Sequence, residues 1–151
     1  MEIKKLIENC EYFYHSTSLK SLDSIKNNGL QLEILKQSSL CPKKFKNRPL
    51  ICLANAKHIL RIENGFFVCN PPSEADLNSR VILRINAKNI ARRTFSLDYT
   101  DSAVELRLNQ IIKNKTEFEW FKIILDEIGT LSCYEEIPFG EIEVIERNEI
   151  K

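Results

Sequence analysis

Residues 12–30 read "YFYHSTSLKSLDSIKNNGL", and the change of period within this stretch sets the fold class. Tyr12 and Tyr14 alternate with Phe13 and His15, which is the two-residue period of a strand over 11–15. Leu19, Leu22 and Ile25 then recur at helical spacing and predict a helix over 19–27 with one buried stripe. Ser18 is the expected N-cap, and Asn28-Gly29 supplies a left-handed stop. A strand thus delivers a histidine to small hydroxyl residues at the mouth of a helix. Ring nitrogens and backbone amides placed together there can face a ligand. The plain alternative is a hydrogen-bonded histidine at a strand end, and spacing alone favours it.

The rest of the chain mixes strands and helices without regular alternation, which argues for an α+β fold. Residues 36–49, "KQSSLCPKKFKNRP", are polar, basic and proline-bounded, and read as a functional-length loop. "LICLA" (50–54) reads as a buried strand and "NAKHILRIE" (55–63) as a helix. A strand is expected at 65–70, "GFFVCN", then a loop at the double proline. "RVILRI" (80–85) predicts a strand with Val81, Leu83 and Ile85 on one face. A helix is expected over about 101–113, capped by Thr100 or Asp101. The next has a capping box of Thr116 with Glu119 and a stop at Gly129. Strands follow at 130–134 and near the end, the last with Ile142, Val144 and Ile145 inward.

At 151 residues the chain is read as one domain spanning 1–151. A net charge of +1 sets up no global field for nucleic acid or membrane. The opening "MEIKKLIENC" is too charged for a signal peptide, and no apolar run reaches spanning length, so the expected location is cytoplasmic. The five cysteines form no C-x-x-C pair, and with histidines only at 15 and 58 no zinc cluster is expected. They read as reduced, buried residues, although a thiol nucleophile pairing Cys10 with His15 is a conceivable variant. The chain contains no phosphate-cradling glycine motif, no G-x-S-x-G elbow and no H-E-x-x-H.

The opening stretch resembles the first NAD-binding motif of the ADP-ribosyltransferase superfamily, which takes the form Y-H-x-T, a short helix, then G-L. "LICLA" is similar to that family's next core strand. "RVILRINAKNI" and "DYTDSAVELRL" are similar to the middle of DarT-type DNA-modifying enzymes, and "TLSCYEEIPFGEIEVI" to the superfamily's last strands. The resemblance implies two small antiparallel-rich sheets around an NAD-sized cleft with flanking helices. It implies NAD-dependent transfer of ADP-ribose to a macromolecular acceptor, either protein or nucleic acid, with NAD as a substrate. His15 would orient the nicotinamide ribose, Ser16 would grip the carboxamide through its backbone, and Thr17 would shape the turn.

Two positions depart from the family pattern. Cys52 stands where many members carry a stacking tyrosine, so Phe66, Phe67 or Tyr14 would have to supply the aromatic face. Thr130 stands near the expected catalytic glutamate, so Glu135 or Glu136 would supply the carboxylate that stabilises an oxocarbenium-like ribose. Arg48, Arg61 and the Lys43–Lys46 run are the basic groups expected to meet the pyrophosphate. Two alternatives follow from the same residues: a degenerate module that binds NAD, ADP-ribose or a protein partner without turnover, and an RNA 2′-phosphotransferase-like activity. The two departures favour the binding module.

Overall fold

The computed structural model describes residues 2–63, 80–110 and 115–150. Its centre is strand β1 (Tyr12–Ser18), whose alternating side chains are buried on both sides. Phe13 packs into the larger core and Tyr14 into a second one on the opposite face. Both faces are therefore covered, which is why the strand reads as aromatic and apolar at successive positions. β3 (Arg80–Asn86) pairs antiparallel with the whole length of β1, from Tyr12 opposite Asn86 to Ser18 opposite Arg80. β6 (Ile142–Ile145) adds to its outer side. On the other flank lie β2 (Ile51–Ala54), β5 (Thr130–Cys133) and the short β4 (Phe95–Ser96). The order is β4-β5-β2-β1-β3-β6, and every pair is antiparallel.

This is one sheet, where two were expected. The physical reason is a single residue pair. β1 and β2 are in register only at Tyr14 opposite Ala54. That pair joins two three-stranded halves, β4-β5-β2 and β1-β3-β6, into one surface. Strand pairing is non-local, and nothing in the local sequence shows that the halves meet.

Six α-helices are formed among the described residues, and five of them cover one face. α1 (Glu2–Glu8), α2 (Leu22–Asn28), α4 (Ala87–Ala91), α5 (Ser102–Gln110) and α6 (Glu117–Glu127) bring Ile7, Ile25, Ile90, Val104 and Ile124 onto Phe13, Leu53, Leu83 and Leu131. Each such side chain, taken out of water, stabilises the fold by about 1.5–3 kcal/mol. On the opposite face α3 (Ala56–Glu63) sets Ile59 against Tyr14, Ala54, Ile82 and Ile145. Residues 36–49 form no helix or strand. Their Cys41 and Phe45 pack on Leu50 and Tyr134, with Phe45 and Tyr134 stacked at 4.6 Å.

Several local expectations change in detail. β1 runs on to Ser18, so His15 lies in mid-strand and not at a strand end. Leu19–Ser21 is a single tight turn, and α2 starts only at Leu22. Ser18 stands at the N-cap of that turn but its side chain makes no capping bond; its hydroxyl meets that of Ser21 at 3.0 Å. Val144, expected inward, is 45% exposed because β6 is the edge strand. The short helices α1 and α4 were not anticipated. The expected strand at 65–70 lies outside the described residues. The capping box of Thr116 with Glu119 is present, and Asp101 accepts from the Ala103 amide at the start of α5.

Gly29 ends α2 with φ +72, and a side chain there would come within 2.3 Å of the Ile137 carbonyl. The close approach lets the Leu30 amide donate to that carbonyl at 2.8 Å. The segment after α2 is thereby pinned beside the break between β1 and β2.

Candidate functional site

Beyond Tyr14 the register that pairs it with Ala54 would set Ser16 opposite Cys52. No such pair forms, and the strands part. The Cys52 carbonyl instead lies 2.8 Å from His15 Nδ1. The imidazole is wedged into the ladder where a backbone amide would sit. A carbonyl only accepts, so Nδ1 carries the proton and Nε2 is left as an acceptor. Burial pushes the His15 pKa below the usual histidine value, against the carbonyl bond and the charge of Glu33, which favour the cation. His15 is therefore a neutral, oriented hydrogen-bond acceptor at pH 7.

Two cavities meet at this wedge, and both are lined by His15 and Cys52. The first, of about 300 Å³, lies between β1, α2 and the segment following it, with Thr17, Ser21, Ser24 and Glu33 on its wall. The second, of about 320 Å³, lies on the α3 face, with Ser16, His58, Asp98, Thr100 and Thr130. Each is at the small end of ligand-sized volumes, and the pair spans the break from one face of the sheet to the other.

The second cavity has an unusual polar floor. Asp98 is 3% exposed, and its Oδ1 accepts from the Thr100 amide at 3.0 Å, the Thr100 hydroxyl and the Ser132 hydroxyl at 3.4 Å. Among the described residues no donor reaches Oδ2. Burial raises the Asp98 pKa above the ordinary carboxylate value in spite of those three donors, and the nearby Asp101 adds to the rise. Thr100 Oγ1 is also 3.5 Å from Cys52 Sγ. Thr130 is 5% exposed, and its buried hydroxyl has no partner among the described residues. His58, the other histidine, has its Nδ1 3.0 Å from the Ile128 carbonyl, so it too carries its proton on Nδ1.

Of the residues expected from sequence, His15, Ser16, Thr17 and Cys52 come together around the break. Thr130, which stands at the expected glutamate position, lines the same cavity as Cys52. Glu135 and Glu136 line neither cavity. Glu135 lies four residues beyond Leu131, the β5 residue level with Leu53, or roughly 13 Å of extended chain. Its carboxylate accepts from the Thr94 amide, and that bond holds its pKa below the usual range. Glu136 is exposed, and its carbonyl accepts from Arg93. Neither is placed to act on a ligand beside His15.

Three of the expected basic groups have partners elsewhere. Arg48 sits 5.0 Å over the Tyr134 ring, Arg61 donates to the Glu127 carbonyl, and Lys44 lies over Phe45. Tyr14, a candidate for the aromatic face, is fully buried yet lines the second cavity beside His15 and Cys52. Phe66 and Phe67 lie outside the described residues. Cys10 is pushed up to about 11 and Cys52 to about 12, both by burial, so neither is a thiolate near neutrality. The Cys10–His15 nucleophile does not form: the Cys10 thiol turns to the Leu6 carbonyl.

Sequence reasoning missed Asp98, His58 and Glu33. The spacing Asp98-x-Thr100 is the signature of an aspartate that bonds its own backbone two residues on, but that local pattern carries no sign of burial. Comparison with known protein families and with curated proteins finds no match. Among the described residues no helix is long and apolar enough to cross a membrane, and no group of three or more His, Cys, Asp or Glu is arranged to hold a metal.

Proposed function

We propose that the protein transfers ADP-ribose from NAD to a macromolecular acceptor. The observation that carries this reading is the break between β1 and β2 with His15 wedged in it, held by the Cys52 carbonyl and lining two adjoining cavities. NAD has two nucleoside halves, and two small cavities sharing one wall suit a two-part ligand. The sequence resemblance assigns His15 to the nicotinamide ribose. A neutral imidazole held by the Cys52 carbonyl accepts a ribose hydroxyl hydrogen bond without reorganising. The Ser16 backbone, level with Cys52 where pairing ceases, is the group assigned to the carboxamide. As nicotinamide leaves, positive character develops on the ribose. Fixed dipoles and a carboxylate in a water-poor cavity stabilise that charge more than water does.

Nicotinamide release from NAD, measured with and without cell extract, tests the proposal. His15→Ala, shown by its melting curve to be folded, is expected to lower release by about 10²–10³-fold, the scale for removing one preorganised hydrogen bond. A wild-type protein that neither releases nicotinamide nor binds NAD by calorimetry overturns it. Cys52 and Thr130 at the tyrosine and glutamate positions favour a second reading, a module that binds NAD or ADP-ribose without turnover. Calorimetric binding with no release is its signature.

A further inference from the structure

We propose that Asp98 is the general base of this site, taking the acceptor's proton on Oδ2, with the Thr130 hydroxyl as a ligand-binding group beside it. The inference rests on the NAD-transfer reading above.

Two independent observations meet in the second cavity. Asp98 is a buried carboxylate fixed by three donors that all converge on Oδ1. Its second oxygen is reached by no donor among the described residues, and the residue lines the cavity. Thr130, on the same wall, buries a hydroxyl with no partner among the described residues. A buried unpaired hydroxyl is costly, and a ligand oxygen or nitrogen would satisfy it. Asp98 is also connected to the wedge: Thr100 donates to it and contacts Cys52, whose carbonyl holds His15.

The other titratable groups of the two cavities suit the role less well. Asp101 is engaged by the Ala103 amide as the cap of α5, and Glu33 is exposed to solvent on the far side of the break. Tyr14, His15, Cys52, His58 and Arg80 complete the charged and titratable lining of the second cavity. Burial raises the Asp98 pKa, which makes the carboxylate a stronger base than a solvated one.

The step balances as follows. The C1′–N bond of the nicotinamide riboside breaks, and its electron pair leaves with neutral nicotinamide. A lone pair on the acceptor's oxygen or nitrogen forms the new bond to C1′. The acceptor's proton passes to Asp98 Oδ2, carboxylate becoming carboxylic acid, and is then lost to water.

The test is Asp98→Asn, which keeps an acceptor oxygen for the three donors and removes the base. The expected result is a fall in kcat of at least about 10²-fold, the scale for a positioned general base, with NAD affinity by calorimetry within about threefold. The wild-type kcat is expected to fall on the acid side of a pH profile. That limb is absent from the residual rate of the variant. If the variant does not fold, the wild-type profile decides: a kcat that shows no fall on the acid side, down to the lowest pH at which the protein stays folded, overturns the assignment. A variant with near-wild-type kcat refutes the role of Asp98 while leaving NAD transfer in place. A parallel loss of NAD binding makes Asp98 a binding group and refutes it as a base. A wild-type protein that binds NAD without turnover, or does not bind it, removes both readings together.

Discussion

Replacing Thr130 by valine should make the protein more stable and its ligand weaker. Valine keeps the branched shape that suits β5 and exchanges the hydroxyl for a methyl. The hydroxyl is buried without a partner, and burying one unpaired costs about 1–3 kcal/mol on protein mutational scales. Most of that cost is relieved by Thr130→Val. At about 2–4 °C per kcal/mol for a chain of this size, Tm should rise by several degrees. Ser132→Ala supplies the control. It lies two residues along the same strand and faces the same way, but its hydroxyl donates to Asp98 at 3.4 Å. Losing that bond should cost about 1 kcal/mol, so the two neighbouring changes have opposite signs. Thermal and urea unfolding of the three proteins at pH 7 measure both. Calorimetry with NAD should show Thr130→Val binding up to about tenfold more weakly, the value of one hydrogen bond. A Tm that falls, or stays within a degree of wild type, refutes the reasoning, because the hydroxyl then already has a partner in the folded protein.

Gly129→Ala should cost about 3–4 kcal/mol. Its Cβ would lie 2.2 Å from Asn55 Oδ1 at φ +95, adding about 1–2 kcal/mol of left-handed strain. Displacing Asn55 removes its bond to the Leu125 carbonyl and its cap on the His58 amide, each worth about 1 kcal/mol. In an Asn55→Ala background the same change should cost only the strain, and urea unfolding of the four proteins reads the coupling. Asp98→Asn should stabilise the protein more at pH 7 than at pH 3. Burial raises the folded pKa of Asp98 above its unfolded value of about 3.9. Its contribution to stability is therefore fully present below that value and lost as pH rises through the folded pKa. The difference in stability between variant and wild type, followed across pH, should grow upward; a difference that shrinks contradicts the shift.

The parts of the fold legible in the sequence are those whose signal is local. β1 and β3 show alternation or a continuous apolar run, and α6 is announced by a capping box and stopped by Gly129. α1 carries Ile3, Leu6 and Ile7 at helical spacing, but seven residues are too few to form a helix alone, and packing on α4 and α6 makes it one. The order of strands, and the single pair that unites two halves, depend on contacts far apart in the chain. The site divides in the same way. "YHST" gives His15, Ser16 and Thr17 because one strand carries all three. Counting back from Ile137-Pro138 points to β5 and the residues just beyond it, yet the carboxylates that line the second cavity, Asp98 and Asp101, follow β4. Only folding β4 beside β5 brings Asp98 to the hydroxyl of Ser132, and no count along the chain shows that.

Electrostatics separates the site from the scaffold. Away from the break, folding favours the charged form of its carboxylates: Glu135 bonds the Thr94 amide, and Glu141 is held below the ordinary range chiefly by Arg93. Around the break the direction reverses. Burial disfavours ionised Asp98 and protonated His15, and it leaves the Thr130 hydroxyl unpaired. The Asp98 and Thr130 effects oppose stability at pH 7 and the His15 effect does so in acid, and all three residues line the second cavity. An apolar core could fill that volume at lower free energy. On the proposed reading, the carboxylate, the imidazole and the hydroxyl there are the groups that NAD and its acceptor would meet. If NAD binds there, it should stabilise the fold in proportion to its affinity. NAD at 100 times its dissociation constant should add about 2.7 kcal/mol to the unfolding free energy. That increment should shrink in Thr130→Val, the variant expected to be the more stable without ligand. If NAD raises the stability of both proteins equally, the hydroxyl takes no part in binding and its burial is a cost without a use.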